Sequence, residues 1–135
     1  MTNDRQDFER FMQRRAEIAL AYVNGDPEPL HDIATRRLPA TFFGPQGDYK
    51  QGADQVWKAF EAGASAFSPG AQSEVEVLDQ HADGEVAYWV GIQHARLRMG
   101  DAAEPTPMDL RVTEIFRRQD GQWKLVHRHA DPLKA

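Results

Sequence analysis

Two alternating segments on either side of Asp120-Gly121 constrain this chain more than any other feature. They lie in MDLRVTEIFRRQDGQWKLVHRHAD, residues 108–131. Asp-Gly between alternating apolar residues is the strongest short-range signal for a β-hairpin. We therefore predict two antiparallel strands that are joined by a two-residue turn at Asp120 and Gly121.

The length of this turn determines which residues face each other, because cross-strand partners share one face of a sheet. A two-residue turn predicts four pairs, namely Arg118–Trp123, Phe116–Leu125, Glu114–His127 and Val112–His129. The face that carries these pairs is mainly apolar and is expected to be buried. A carboxylate and two imidazoles on such a face need partners, because burying an unpaired charge is costly.

A second register of the hairpin stays open. A three-residue turn with a bulge at Gly121 would shift the pairing by one residue. Thr113 and Arg111 would then lie opposite the two histidines. The sorting of apolar residues onto one face favours the two-residue turn.

Composition predicts one soluble domain that spans residues 1–135, since 41% of the residues are hydrophobic and 27% are charged. A net charge of -5 argues against a nucleic-acid partner. The chain has no cysteine, which excludes disulfides and thiolate metal sites. Neither a signal peptide nor a segment long enough to span a bilayer is evident, so we expect a cytoplasmic protein without a membrane partner.

Three helices are predicted before the main sheet. Apolar residues at three- and four-residue steps across residues 8–23 indicate one long amphipathic helix that ends at Gly25. Residues 27–34 begin with proline and predict a short second helix. The helical period returns over residues 53–67 and stops at Ser68-Pro69-Gly70, which predicts a third helix.

Strand patterns occupy most of the remaining chain. We predict strands over residues 38–44, 73–80 and 86–99, and in the terminal hairpin. In the segment 86–99, Tyr88, Val90 and Ile92 share one face while Ala87, Trp89 and Gly91 share the other. A sheet that is apolar on both faces needs two covers. The helices can supply one, and a second copy of the chain can supply the other, which predicts a homodimer.

Several motifs occur in a recognisable order. Asn24-Gly25-Asp26 ends the long helix, F-G-P-x-G at residues 43–47 and then Gly52 precede a helix, and R-R-Q-D-G-Q-W-K-L-V-H-R-H closes the chain at residues 117–129. This order resembles the nuclear transport factor 2-like superfamily, and its SnoaL-like members in particular, over nearly the whole chain. The last motif is also similar to the calcium/calmodulin-dependent kinase association domain, which shares D-G-x-W followed by V-H-x-H.

The resemblance implies an α+β fold of a definite shape. Three N-terminal helices pack on a strongly curved mixed or antiparallel β-sheet, and the resulting cone encloses an apolar pocket, usually in a dimer. It does not imply one activity, because the superfamily includes isomerases, cyclases, hydrolases and structural modules. Ketosteroid isomerases of this fold use a tyrosine and an aspartate where this chain has Ile18 and Gly44. The kinase association domain has an arginine where this chain has Glu114, so an anion-binding role is not carried over.

Glu114 and His127 are the candidate catalytic residues. A carboxylate beside an imidazole raises the imidazole pKa, and an apolar wall raises the pKa of the carboxylate, so the pair could transfer protons. The alternative is a buried ion pair that only stabilises the hairpin. Candidate substrate-binding residues are His129, Tyr22, Trp57, Tyr88, Phe116 and Trp123. For the aromatic residues among them, the alternative is an ordinary place in the core.

His127, His129 and Asp131 are spaced by two and would point the same way on a strand, as a metal site could require. Such a site would need a further ligand, and we expect none. The sequence also lacks a Gly-rich phosphate loop, a G-x-S-x-G elbow and a dinucleotide fingerprint. We therefore expect no cofactor.

These observations predict a SnoaL-like domain that binds a small, largely apolar molecule in a cone-shaped pocket. Cofactor-free acid–base chemistry of the isomerase, cyclase or hydrolase type is the activity that such a pocket could support. Whether the chain is an enzyme at all is left open by the sequence. The alternative is a non-catalytic dimerisation or binding module with a vestigial pocket.

Overall fold

A computed structural model describes residues 3–134 of the chain. It contains three α-helices, which are α1 (Asp4–Val23), α2 (Glu28–Ile33) and α3 (Ala53–Ser65). The Asn3 side chain caps α1 by accepting a hydrogen bond from the Gln6 backbone nitrogen at 3.1 Å. None of the helices in the described range is long and apolar enough to cross a membrane.

The predicted helices are confirmed, with one difference at the end of α3. The sequence pattern continued the helix to Phe67, but α3 ends at Ser65. Phe67 instead begins a strand and pairs with Met99. The spacing of Phe67 fits the apolar face of α3, but Phe67 pairs in the sheet because tertiary contacts override local helical periodicity.

Six strands form one mixed sheet in the order β2-β1-β6-β5-β4-β3. Their bounds are β1 (Thr41–Phe43), β2 (Tyr49–Gln51), β3 (Phe67–Asp83), β4 (Val86–Met99), β5 (Thr106–Gln119) and β6 (Gln122–Pro132). Strand β1 pairs in parallel with β6, and all other neighbours are antiparallel. The sheet is curled but not closed, and the α+β cone with helices packed on it is the predicted fold.

The curvature of the sheet has a visible cause where β3 crosses β4. The pairing of β3 with β4 is irregular between Val77 and Asp79. At that level a Cβ atom on Gly91 would lie 2.0 Å from the backbone oxygen of Glu76. Only glycine permits this close approach, so Gly91 and the bulge together bend the sheet.

The helices cover the inner face of this curved sheet. Ala87 and Trp89 of β4 are buried on that face, and they belong to the main hydrophobic core together with Phe8 and Phe60 from the helices. On the outer face of the same strand, Tyr88, Val90 and Ile92 are only half-buried. The two faces of β4 thus divide as the alternation predicted.

The β5–β6 hairpin follows the predicted register only near its turn. Asp120 and Gly121 form the two-residue turn, with φ of 54° and 79°, and Arg118 pairs with Trp123 and Phe116 with Leu125. Beyond these pairs the register shifts, because Val126 is an extra residue in β6. The predicted pairs Glu114–His127 and Val112–His129 are therefore wrong.

The observed partners beyond the bulge are Ile115–His127, Glu114–Arg128, Thr113–His129, Val112–Ala130 and Arg111–Asp131. The alternative register, with Thr113 and Arg111 opposite the two histidines, is also wrong, because Ile115 lies opposite His127 and Arg111 lies opposite Asp131. The observed shift arises inside β6 and not in the turn. A one-residue shift moves every later side chain to the opposite face. Arg128 thereby comes to the inner face and His127 to the outer face.

Candidate functional site

A cavity of about 470 Å³ opens between α1, α3, the loop after β1 and the inner face of the sheet. Most of its wall is apolar, and the charged and amide side chains that line it are Arg15, Gln46, Asp48, Gln93 and Arg128. Its volume lies in the range of about 300–1,000 Å³ that is usual for small-molecule sites. The predicted apolar pocket therefore has a counterpart in the fold, with a charged inner end.

That inner end is built around Glu114, which is fully buried. Arg15 binds it with two parallel hydrogen bonds, from Nε to Oε1 and from Nη2 to Oε2, each 2.9 Å long. Arg128 donates from Nη1 to Oε2 at 2.8 Å, and Trp89 donates from Nε1 to Oε1 at 2.8 Å. Both carboxylate oxygens of Glu114 are thus fully engaged by the protein.

The charge on Glu114 is fixed by this arrangement. Burial alone raises the pKa of the carboxyl group, but the two guanidinium groups of Arg15 and Arg128 outweigh burial and lower the pKa to about 2. The prediction that an apolar wall raises the pKa of Glu114 is therefore wrong. Glu114 is therefore an anion at neutral pH, and it has no proton to donate.

Arg15, Arg128 and Gln93 are the residues of this inner end that the sequence argument did not include. Arg15 follows Phe8 by seven residues and Phe11 by four, so the helical period places it on the inward face of α1. That signal was present in the sequence. Arg128 reaches the inner face only through the bulge at Val126, and no comparable signal in the sequence marks that bulge.

Tyr22 is the one predicted substrate-binding residue that lines the cavity in the described part of the chain. Its hydroxyl donates to the backbone oxygen of Phe60 at 2.7 Å. A Cβ atom on Gly63 would lie 2.3 Å from that hydroxyl, so glycine is needed there. Burial raises the pKa of Tyr22 to about 12, and the group is therefore a neutral hydrogen-bond donor.

The two histidines lie on the outer side of the sheet, on β6 where it pairs with β1. His127 Nδ1 is 2.7 Å from the Thr41 hydroxyl, and the Phe43 ring packs edge-on against both His127 and His129. Burial lowers the pKa of His127, and the nearby His129 lowers it further. The catalytic role of Glu114 and His127 stays a prediction, now without the pairing on which it was based.

The other predicted aromatic contacts lie away from the cavity. Phe116 and Trp123 are buried in the core, where the guanidinium of Arg118 lies 4.0 Å from the centre of the Trp123 ring. Trp57 stacks on His31 with ring centres 4.2 Å apart. Tyr88 is on the outer face and donates to Asp79 at 2.7 Å. A substrate-binding role for these four aromatic residues has no support in this placement.

The three residues of the considered metal site do not converge. His129 Nε2 lies 3.5 Å from Asp131 Oδ2, while His127 bonds to Thr41. Within residues 3–134, no group of three or more His, Asp or Glu side chains is placed to hold a metal ion.

Solved structures with the same architecture identify the fold. A nuclear transport factor 2-like superfamily protein from Salmonella enterica serovar Typhimurium superposes with a TM-score of 0.77 at 14% identity, over 96% of this chain and 91% of that one. A protein from Streptomyces avermitilis, proposed to be a dehydratase of the same family, gives 0.76 at 18% identity, over 96% and 98%. The kinase II hub homology domain from Chlamydomonas reinhardtii gives 0.64 at 22% identity, over 92% and 96%.

These likenesses define a nuclear transport factor 2-like fold. Within that fold, the chain belongs to the SnoaL-like domain family, whose model matches residues 12–132. No curated protein matches the chain in sequence. The matched segment contains Arg15, Glu114 and Arg128, and it also contains every polar residue that lines the cavity.

Proposed function

We propose that this SnoaL-like domain binds a small, largely apolar molecule in the cavity between the helices and the sheet. The observation that carries the proposal is a cavity of about 470 Å³ that is open at one end and mostly apolar. Phe42, Phe60 and Leu110 contribute to its wall. Burial of apolar ligand surface against such a wall supplies the driving force for binding, at roughly 25 cal/mol per Å².

Any proton transfer on a bound molecule needs a group that reaches the cavity. Glu114 is enclosed by its own partners, and His127 lies on the other face of the sheet. Of the lining residues in the described part of the chain, Asp48 is the only carboxylate. If the domain is an enzyme, we propose Asp48 as its general base in place of Glu114.

The binding proposal is tested by closing the cavity. Ala62 is exposed on α3 and lines the opening, so Ala62→Trp would place an indole across it without disturbing the core. A neutral fluorescent probe, naphthylethanol, should bind the original protein at one molecule per chain and bind the variant at least about tenfold more weakly. Glu61→Trp adds the same side chain on an exposed neighbour that does not line the cavity.

Failure of the probe to bind the original protein, or equal binding by the Ala62→Trp variant, would contradict the proposal. Loss of binding in the Glu61→Trp control would show that an indole on α3 disturbs the domain in general. The alternative, a non-catalytic module with a vestigial pocket, predicts that the probe does not bind the original protein.

We also propose that two copies associate through the outer face of the sheet. Val90 and Ile92 of β4 and Ile115 of β5 lie side by side there and are only half-buried in the single chain. A twofold contact between two such faces would cover the apolar side chains of both copies at once. Polar groups surround this patch, as at many subunit interfaces, and include the ion pair of Arg111 with Asp131.

Light scattering at micromolar concentration tests this association. We expect the mass of a dimer for the original protein and the mass of a monomer for Ile115→Glu, because a new charge in the centre of the patch would be buried by the contact. Leu78→Glu is the matched control, since Leu78 is 65% exposed at the bulge of the edge strand β3. A monomer in the original protein would overturn the proposal.

A further inference from the structure

Arg15, which lines the cavity, carries a hydrogen-bond donor that no described residue uses. Arg15 is only 4% exposed, and two of its three side-chain nitrogens are bound to Glu114. Its third nitrogen, Nη1, is buried and has no hydrogen-bond partner among the described residues. Arg15 also lines the cavity, and buried polar groups in folded proteins nearly always have a partner, so a bound molecule is one group that could accept from this nitrogen.

The charges at this end are not balanced either. Arg15 and Arg128 both line the cavity, and one carboxylate, Glu114, lies between them. Two positive groups and one negative group leave one positive charge uncompensated. The remaining neighbour, Gln93, is neutral and accepts from Arg128 Nη2 at 3.0 Å. The lining carboxylate of Asp48 belongs to the loop after β1 and makes an ion pair with Lys50 at 3.6 Å.

We infer that the ligand of this cavity is an organic acid, with an apolar body against the wall and a carboxylate at the inner end that accepts from Arg15 Nη1 beside Arg128. The inference rests on the proposed function and adds the chemical class of the ligand. A carboxylate would satisfy the unused donor and neutralise the remaining positive charge in one contact. A neutral hydroxyl could do only the first.

Glu114 has a positioning role in this arrangement. It accepts three short hydrogen bonds from the two guanidinium groups and a fourth from Trp89, so that the orientation of both arginines is set before a ligand arrives. A site whose donors are already fixed loses less freedom on binding. A ligand carboxylate would therefore bind to arginine donors whose orientation is already fixed.

A matched pair of probes tests the inference on the original protein. Naphthylacetate and naphthylethanol share the same ring system and differ in a carboxylate against a hydroxymethyl group. Fluorescence titration should give at least about tenfold tighter binding of the acid. Acetate, which has the carboxylate without the apolar body, should bind far more weakly than naphthylacetate.

One substitution assigns the selectivity to the inner end. Arg128→Gln removes the excess charge and leaves the paired contacts of Arg15 with Glu114 in place. We expect its affinity for naphthylacetate to fall to that for naphthylethanol. Arg36→Gln removes the same charge from an exposed loop and should preserve the preference for the acid.

The outcomes separate the two proposals. If naphthylethanol does not bind the original protein, the proposed function fails. If naphthylethanol binds as tightly as naphthylacetate, only the organic-acid inference fails. A preference for the acid that Arg36→Gln reduces as much as Arg128→Gln does would also overturn the inference, because it would reflect net charge alone. The comparison of probes on the original protein remains decisive even if Arg128→Gln does not fold.

Discussion

Strand β5 contributes one member of an arginine–carboxylate pair on each of its two faces, and the two pairs differ strongly in burial. On the inner face, Arg15 binds Glu114 through two bonds of 2.9 Å, and both side chains are almost completely buried. On the outer face, Arg111 binds Asp131 through bonds of 2.6 and 2.9 Å, with side-chain exposures of 63% and 30%. Bond geometry alone would rank the two pairs as equals.

Burial determines how much stability is lost when one partner of each pair is removed. Water solvates Arg111 and Asp131 whether or not they are paired, so removing one partner leaves the other in a tolerable state. Neither Arg15 nor Glu114 has water to replace a lost partner, and an unpaired buried charge is strongly unfavourable. Stability is therefore more sensitive to substitutions at Arg15 and Glu114 than at the outer pair, and Arg15 also lines the cavity.

The largest effect is expected from Glu114→Gln. This change keeps the size of the side chain but leaves Arg15 and Arg128 buried without a counter-charge, so unfolding free energy should fall by about 3–5 kcal/mol. Urea denaturation followed by circular dichroism measures it. Glu104→Gln makes the same change in the exposed loop before β5 and should leave stability nearly unaltered. A loss similar to that of the control would show that the inner pair is not buried in solution.

A second, smaller effect is expected in how the stability of the original protein and of Glu114→Gln depends on pH. Because the pKa of Glu114 falls from 4.5 to about 2 on folding, its contribution is fully present above pH 4.5 and is lost as the pH falls toward 2. The shift corresponds to about 3 kcal/mol. Denaturation at several pH values should show a steeper loss of stability in the original protein than in Glu114→Gln over this window. Parallel curves for the two proteins would contradict the assignment of the low pKa to Glu114.

Sequence reasoning recovered the elements of the fold because each has a local cause. Asp120-Gly121 has the residues that a two-residue turn requires, and the three- and four-residue steps of α1 follow from its apolar face. The same reasoning placed Glu114 on the buried face and required a partner for it, which was correct. Its partner was misidentified because a single extra residue, Val126, reverses the alternation of β6.

The candidate site was harder to predict than the fold for a related reason. Arg15 could have been found from the helical period, but a helix face is expected to bury apolar residues, and arginine is seldom buried unless it is paired. Its pairing with Glu114 joins positions 99 residues apart in the chain. No short-range pattern reports such a contact, and the bulge that supplies Arg128 depends on the packing of β6 between β1 and β5.

The smallest effect is expected at the outer pair. Asp131→Asn removes the carboxylate that Arg111 binds, and the arginine then remains solvated, so the loss of stability should be several-fold smaller than that of Glu114→Gln. The same urea titration measures both variants. A loss at Asp131 as large as that at Glu114 would mean that the outer pair is also buried in solution.

Since the outer face is the surface that we propose for dimerisation, the measurement should be repeated on the monomeric Ile115→Glu background. A large loss in the original protein that disappears on this background would place Asp131 inside the contact between two copies.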